Sequence, residues 1–152
     1  MKNYTDRFDE AEYSNRPAAV KVLKKLCKYH PQFEGWSLKE TRIEDKVRYD
    51  FWLEKDGKKI LIEHKARNYE KRRFSDWQLN GNKYDNLRSL IKDDVVGVFY
   101  INTFLDGCAI WNLKKDIGER RWSMHNLKTV VESDLVVEYD MFFKLEDALY
   151  IE

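Results

Sequence analysis

The sequence has few of the residues that build crosslinked, fibrous or membrane-spanning proteins. Its two cysteines, Cys27 and Cys108, form no CxxC pair and have no histidine at zinc-site spacing, which argues against a secreted disulfide framework and against structural zinc. Two prolines and six glycines exclude a fibrous or linker-like chain. The longest apolar run, Val95–Ile101, is too short to span a membrane, and the first residues lack a signal-peptide core. We therefore expect a cytoplasmic protein with no membrane partner.

The chain also lacks an excess of charge of either sign. It carries 28 Lys and Arg against 27 Asp and Glu, a formal net charge of +1, so no overall basic excess identifies a nucleic-acid-binding protein. Hydrophobic residues make up 43% and aromatic residues 14% of the chain, which excludes disorder although 36% of residues are charged. A length of 152 residues fits one domain, residues 1–152.

The spacing of apolar residues predicts a mixed α/β fold, with a central β-sheet flanked by helices and extra C-terminal strands. A capping box at Ser75 and Gln78 favours a helix start there. Residues 114–126 are charged and predict a loop or short helix. The predicted helices are Pro17–Tyr29 and Asp76–Lys92, and the predicted strands are Trp36–Arg42, Val47–Leu53, Lys59–Ala66, Val95–Phe104, Cys108–Leu113 and Leu135–Leu145.

A hairpin joins the second and third predicted strands. Asp56-Gly57 between alternating segments is a strong hairpin signal. With these two residues as the loop, Asp50 lies opposite Glu63, and Lys65 lies on the same face. The other face is apolar and includes Tyr49. A three-residue loop would place Asp50 opposite Ile62, but it would mix polar and apolar residues on both faces, so alternation favours the first register.

Two carboxylates that face each other destabilise a sheet unless something neutralises them. Arg48 and Lys65 could do so as ordinary ion-pair partners of Asp50 and Glu63. Alternatively, a divalent cation binds between the carboxylates, since Mg²⁺ prefers oxygen ligands and is commonly held by one or two carboxylates plus substrate phosphates.

Asp50 and the run Glu63-His64-Lys65 resemble the PD-(D/E)XK nuclease superfamily over residues 17–104. Of three (D/E)xK matches in the chain, only this one lies in an alternating strand with an aspartate opposite. Tyr49 replaces the family's proline. The resemblance implies a restriction-endonuclease-like αβββαβ core. It also implies that Asp50, Glu63 and the backbone carbonyl of His64 bind Mg²⁺ or Mn²⁺, and that Lys65 is catalytic.

Further site residues follow from the resemblance. Many members carry an acidic residue on the first helix. Glu10 and Glu12 are the candidates here and Glu12 is the choice between them, although both could equally belong to a solvated acidic N-terminus. Members often place a Gln or Lys on the helix after the motif. Gln78 fits as a catalytic residue, or it is only a capping residue, and Lys83 aligns less well with that face. The His64 ring should point into the core.

A basic segment follows the predicted site. Residues 58–73 contain seven basic and two acidic residues, and Tyr69 and Phe74 interleave with them, as expected of a surface that grips phosphates and stacks bases. Residues 129–152 carry seven acidic residues and one basic residue, which explains the near-zero total. The residues predicted to bind nucleic acid are Arg67, Lys71, Arg72, Arg73 and Lys83.

These observations predict a Mg²⁺-dependent nuclease that hydrolyses phosphodiester bonds in nucleic acid, with DNA favoured and RNA not excluded. The alternative is a non-catalytic nucleic-acid-binding or assembly protein on the same fold, which keeps the basic loop without the metal site. A third reading is an α/β interaction domain whose acidic pair is simply neutralised. The aromatic C-terminal strand could also pair with a second copy of the chain to form a homodimer.

Overall fold

The computed structural model of the chain describes residues 14–126 and 135–152. These residues form two helices, nine strands and three short 3-10 segments. The helices are α1 (Arg16–Tyr29) and α2 (Gly81–Ser89). The strands are β1 (Ser37–Glu40), β2 (Phe51–Lys55), β3 (Lys58–Ala66), β4 (Trp77–Asn80), β5 (Val95–Phe104), β6 (Gly107–Asn112), β7 (Glu119–Asn126), β8 (Leu135–Phe143) and β9 (Tyr150–Ile151).

The central sheet has six strands in the order β1-β2-β3-β5-β6-β9. Only the β3–β5 pair is parallel, and the other neighbouring strands are antiparallel. The continuous apolar run of β5 fits its place beside β3 within the sheet, because a central strand is covered on both faces. The predicted mixed α/β class with a mixed central sheet is confirmed.

Two apolar cores lie on the two faces of this sheet. Helix α1 packs on one face through Ala19, Leu23 and Leu26. Helix α2 and a second, antiparallel sheet in the order β4-β8-β7 cover the other face. The third strand, β3, therefore contributes buried residues to both cores, such as Ile62 to the first and Leu61 to the second.

Helix α1 begins and ends close to the predicted bounds. Pro17 lies in its first turn, where the missing N–H costs no hydrogen bond. His30 ends the helix with an extended backbone, φ −90° and ψ 117°, because the residue before Pro31 avoids the helical region.

The predicted hairpin register is confirmed. Lys55 pairs with Lys58 and Phe51 pairs with Ile62, so Asp56-Gly57 is a two-residue loop. Both loop residues have positive φ, 51° and 78°, which is typical of the type I′ turn that matches strand twist. The strand before the loop begins at Phe51 rather than Val47.

The predicted helix Asp76–Lys92 is wrong in its first part. Residues Trp77–Asn80 form strand β4, which pairs with β8, and α2 begins only at Gly81. Its N-cap is Asn80, whose side chain accepts a hydrogen bond from the backbone of Lys83. Pairing with β8 therefore overrides the local signal of Ser75 and Gln78.

The predicted loop or short helix between residues 114 and 126 is also wrong, because residues 119–126 form strand β7 along the edge of the second sheet. The alternation of Arg120, Trp122 and Met124 carries a period-two signal, but the surrounding charges hide it. Pairing with β8 decides the structure here.

Gly81 joins α2 to the second sheet with no space for a side chain. A Cβ at this position would overlap the carbonyl oxygen of Tyr139 and lie 2.7 Å from its ring. We expect Gly81→Ala to lower the free energy of unfolding by about 1–3 kcal/mol, as overpacking does, although alanine favours a helix more than glycine. Urea denaturation measures this change.

Gly97→Ala is the matched control, because its Cβ would meet only Ile60 at 3.9 Å. The two substitutions reduce the freedom of the unfolded chain equally. Equal effects of both variants would contradict the close approach of Tyr139.

Candidate functional site

Asp50 lies at the end of the β2–β3 ladder. The strand pairing stops at Phe51 and Ile62, and the Asp50 backbone N–H donates to the Ile62 carbonyl at 2.9 Å. Asp50 and Glu63 are therefore not a regular cross-strand pair. Instead, Oδ2 of Asp50 accepts a hydrogen bond from the backbone N–H of His64 at 2.9 Å. The carboxylate therefore replaces the backbone carbonyl that would accept this bond in a regular ladder.

The His64 carbonyl lies on the same edge of β3 as Asp50. In an extended strand the N–H and C=O of one residue point to the same side. Because the His64 N–H points at Asp50, its carbonyl is directed to that side as well. The carboxylate and the carbonyl that the resemblance names as metal ligands thus share one edge of the strand.

Arg16 is the partner of Asp50 that sequence reasoning missed. This residue opens α1, is only 8% exposed, and its Nη2 lies 3.1 Å from Oδ1 of Asp50. The guanidinium also donates to the carbonyl and hydroxyl oxygens of Thr41, and it lies over the Phe51 ring at 5.3 Å. Arginine suits this place because its planar fork serves several acceptors at once.

Glu63 is buried, at 5% exposed, on the face of β3 that α2 covers. Its Oε1 lies 2.5 Å from Nζ of Lys83, the third residue of α2. A carboxylate removed from water needs such a partner to remain charged. Lys83 was predicted to bind nucleic acid, and the structure places it at the acidic residue of the motif.

Lys65 lies on the same face of β3 as Glu63, two residues further along, and is half-buried. Its neighbour in the parallel ladder is Asn102 of β5. The side chain of Asn102 is fully buried, and its Nδ2 has no hydrogen-bond partner within the part of the chain that the structure describes. The face that carries Glu63 and Lys65 therefore also carries an unsatisfied buried donor.

His64 points to the opposite face, as predicted. Its ring is buried near Phe51, and Nε2 lies 2.8 Å from the hydroxyl of Thr103. Burial lowers the pKa of His64 to about 4, and the nearby charges of Arg16 and Lys65 add to this effect while Asp50 opposes it. The imidazole is therefore neutral near pH 7 and a weak base, which fits a core residue.

Each of the two carboxylates is paired with a cation that the sequence argument did not propose as its neutralising partner. Asp50 pairs with Arg16 and Glu63 pairs with Lys83, whereas Arg48 is exposed. Tyr49 does not join the apolar face of Phe51 as predicted. It packs against Trp52 with ring centroids 6.3 Å apart, in the core on the other side of the sheet, because regular alternation ends where β2 begins.

Two other residues that the sequence predicts for the site are Glu12 and Gln78. Glu12 lies outside the described residues. Gln78 lies on strand β4 rather than on a helix, and its side chain is exposed. The Gln78 backbone carbonyl, however, accepts hydrogen bonds from Arg67 at 2.5 Å and from the Tyr100 hydroxyl at 2.9 Å.

Arg67 turns inward rather than toward solvent. Its Nε donates to Oδ1 of Asn102 at 2.7 Å, and Nη2 donates to the hydroxyl of Tyr100 at 3.0 Å. The guanidinium also lies 5.5 Å from the centre of the Trp77 ring. Arg67 therefore links the central sheet to β4.

The remaining basic residues lie in the loop between β3 and β4. Lys71 is held by Asp106, to which its backbone N–H donates at 2.8 Å and its Nζ forms an ion pair at 3.7 Å. Arg72 and Arg73 are exposed. Of the loop cations, these two are thus the most accessible to a phosphate.

Comparisons with protein-family models, with curated proteins and with solved structures find no match to this chain. The resemblance to PD-(D/E)XK nucleases, and the DNA and homodimer partners, therefore stay predictions. No helix among the described residues is long and apolar enough to cross a membrane. The same residues contain no group of three or more His, Cys, Asp or Glu side chains placed to hold a metal ion.

Proposed function

We propose that this chain is a Mg²⁺- or Mn²⁺-dependent nuclease that hydrolyses phosphodiester bonds in nucleic acid, with DNA as the expected substrate. The observation that carries the proposal is that Asp50, Glu63 and Lys65 all lie at the same end of the β2–β3 hairpin. The Asp50 carboxylate accepts a hydrogen bond from the backbone N–H of His64. Glu63 directly precedes His64 in the chain, and Lys65 lies on the same face of β3 as Glu63.

The order of the elements also supports the proposal. Helix α1, strands β1, β2 and β3, helix α2 and strand β5 follow one another along the chain, with β4 inserted before α2. Strands β1 to β3 are antiparallel neighbours, and β5 lies parallel to β3. This arrangement is compatible with the restriction-endonuclease-like core that the resemblance implies.

The chemistry of the donors fits a hard divalent cation. Asp50, Glu63 and the carbonyl of His64 offer only oxygen atoms, and Mg²⁺ is commonly held by one or two carboxylates plus substrate phosphates. The side chain of Asp50 is largely covered, but 17% of it remains exposed. The ion would lower the pKa of a bound water and polarise the phosphoryl oxygen.

The chain's own residues then have separate tasks. Arg16 holds Asp50 in position from one side, and Lys83 holds the buried Glu63 from the other. Lys65 stabilises the negative charge that develops on the phosphoryl group, as a preorganised cation does. Arg72 and Arg73 anchor the backbone of the substrate through charge-assisted hydrogen bonds.

The test is a cleavage assay on duplex, single-stranded and branched DNA and on RNA. We expect cleavage with Mg²⁺ or Mn²⁺ and none in EDTA. Asp50→Asn should reduce cleavage at least a hundredfold, since the amide is a far weaker metal ligand. Asparagine is preferred to alanine, because its oxygen can still accept a hydrogen bond from His64 or Arg16. Cleavage that survives EDTA, or that is undiminished in Asp50→Asn, would overturn the proposal.

A second candidate function is non-catalytic nucleic-acid binding on the same fold. The observation that favours it is that Arg16 and Lys83 already neutralise the two carboxylates, so the pair is satisfied without a metal. Binding of nucleic acid that is unchanged by EDTA, with no cleavage of any of the four substrates, would select this function.

A further inference from the structure

We propose that the loop between β3 and β4 is a preformed platform for unpaired nucleobases, so that the chain acts on nucleic acid with a single-stranded segment beside the scissile bond. The platform consists of the side chains of Tyr69, Arg72, Arg73 and Phe74. Its place in a reaction depends on the proposed function, whereas its binding of single strands does not.

The two aromatic side chains of the platform are exposed. Tyr69 is 46% exposed and Phe74 is 45% exposed, although large apolar side chains normally gain free energy from burial. Their rings meet edge to face with centroids 5.1 Å apart. The buried Trp77 lies beneath both, at 5.4 Å from Phe74 and 6.4 Å from Tyr69. The platform therefore has an aromatic floor that is fixed in the core.

The loop backbone is fixed to the body of the protein at several points. The Tyr69 carbonyl accepts a hydrogen bond from the backbone N–H of Leu105, and the backbone N–H of Lys71 donates to Asp106. The Lys71 carbonyl accepts a hydrogen bond from Nε1 of Trp77 at 3.1 Å. A loop held in this way loses little further entropy on binding, which favours affinity.

The positive charge of the platform indicates which kind of molecule binds there. Arg72 and Arg73 are exposed, and neither forms an ion pair within the described residues. The Arg73 guanidinium lies 5.6 Å from the centre of the Phe74 ring, so cation and aromatic surface are adjacent. A polyanion that carries free aromatic faces matches this combination, because bases stack on aromatic side chains while cations neutralise the backbone.

The bases of a duplex are already stacked on one another, so a duplex offers only its phosphates to this surface.

The position of the loop fits a role beside the candidate site. Tyr69 follows Lys65 by four residues, so the two Cα atoms are at most about 14 Å apart. A nucleic-acid strand bound on the platform would therefore lie close to the end of β3 that carries Lys65.

The experiment is fluorescence anisotropy in EDTA at one fixed salt concentration, because such affinities depend strongly on salt. The probes are oligo(dT), oligo(U) and a mixed-sequence duplex, each of about 16 nucleotides or base pairs. We expect oligo(dT) or oligo(U) to bind more tightly than the duplex, and the comparison of the two tells DNA from RNA as the source. We expect Phe74→Ala to weaken single-strand binding about tenfold, or about 1.4 kcal/mol, and duplex binding less than twofold.

Trp122→Ala is the matched control. Trp122 is also an exposed aromatic residue, at 62%, but it lies on β7 outside the platform, so we expect this variant to bind like the wild type. A loss with Trp122→Ala instead of Phe74→Ala, or equal losses on single strand and duplex, would overturn the proposal.

A second measurement does not depend on a variant folding. Oligonucleotides that carry 5-iodouracil, irradiated on the wild type, should crosslink to Tyr69 or Phe74, and crosslinks only elsewhere would overturn the platform. Failure of the two proposals is distinguishable. Cleavage without single-strand preference removes the platform and leaves the nuclease, whereas single-strand binding without cleavage removes the nuclease and leaves the platform.

Discussion

Lys65→Ala should lower the rate of nucleic-acid cleavage by about two to three orders of magnitude, the cost of removing one preorganised group that stabilises transition-state charge. Lys65 shares the face of Glu63 and lies half-buried beside Asn102, so water screens its charge only partly. We expect the single-turnover rate of cleavage to fall while binding in EDTA changes little. Single-turnover cleavage with Mg²⁺ and anisotropy in EDTA measure the two effects separately.

Lys59→Ala is the matched control, because Lys59 lies on the same strand and face but at the opposite end. Its Nζ lies 5.7 Å from the centre of the Trp52 ring, away from Asp50. We expect less than a twofold change in rate. If both lysine variants lose activity equally, the effect is general electrostatics, and if Lys65→Ala cleaves normally, the assigned role is wrong.

Arg16→Ala should lower the free energy of unfolding by about 3 kcal/mol, because breaking a buried ion pair leaves its partner without compensation. The side chains of Arg16 and Asp50 are only 10% and 17% exposed, and Thr41 loses two hydrogen bonds as well. We also expect Mg²⁺ to recover part of this loss, since Asp50 then has no competing guanidinium and a ligand of the folded state stabilises it. Urea denaturation with and without Mg²⁺ measures both effects.

Arg42→Ala serves as the control, because Arg42 also pairs with carboxylates but is 71% exposed. An exposed ion pair contributes at most about 1 kcal/mol, and no Mg²⁺ response is expected. A loss for Arg16→Ala no larger than that of the control would show that the buried pair contributes little. A loss that Mg²⁺ does not reduce would argue against Asp50 as a metal ligand.

The hairpin could be predicted from the sequence because its signals are local. Asp56 and Gly57 define the turn, and the distribution of polar and apolar residues over the two faces of the hairpin then favours one register. The long apolar run of β5 likewise predicts a buried strand without knowledge of its neighbours. In these segments, local preference and tertiary pairing agree.

Only β8 of the second sheet could be predicted, because its two-residue alternation is local, whereas β4 and β7 are extended through their pairing with β8. Strand β4 has only four residues and is followed directly by α2, so a capping pattern at Ser75 outweighed it. Strand β7 consists largely of charged and polar residues, and only pairing with β8 makes it extended. Strand preference depends on such context more than helix preference does.

The candidate site likewise has one part that local sequence predicts and one part that depends on residues distant in the chain. The placing of Glu63 and Lys65 on one face follows from the two-residue period of a strand. The partners of the carboxylates, Arg16 and Lys83, lie 34 residues before Asp50 and 20 residues after Glu63, and no local pattern connects them. Only the packing of α1 and α2 on the two faces of the sheet brings these cations to the acids.

The close approach of Tyr139 to Gly81 couples strand β8 to helix α2. Tyr139 touches the glycine backbone so closely that β8 and the first turn of α2 must move together, since packed interiors transmit displacement. Lys83 lies two residues further along that turn and holds Glu63. A displacement of β8 at Tyr139 would therefore shift the first turn of α2, and with it the lysine that holds the buried acid.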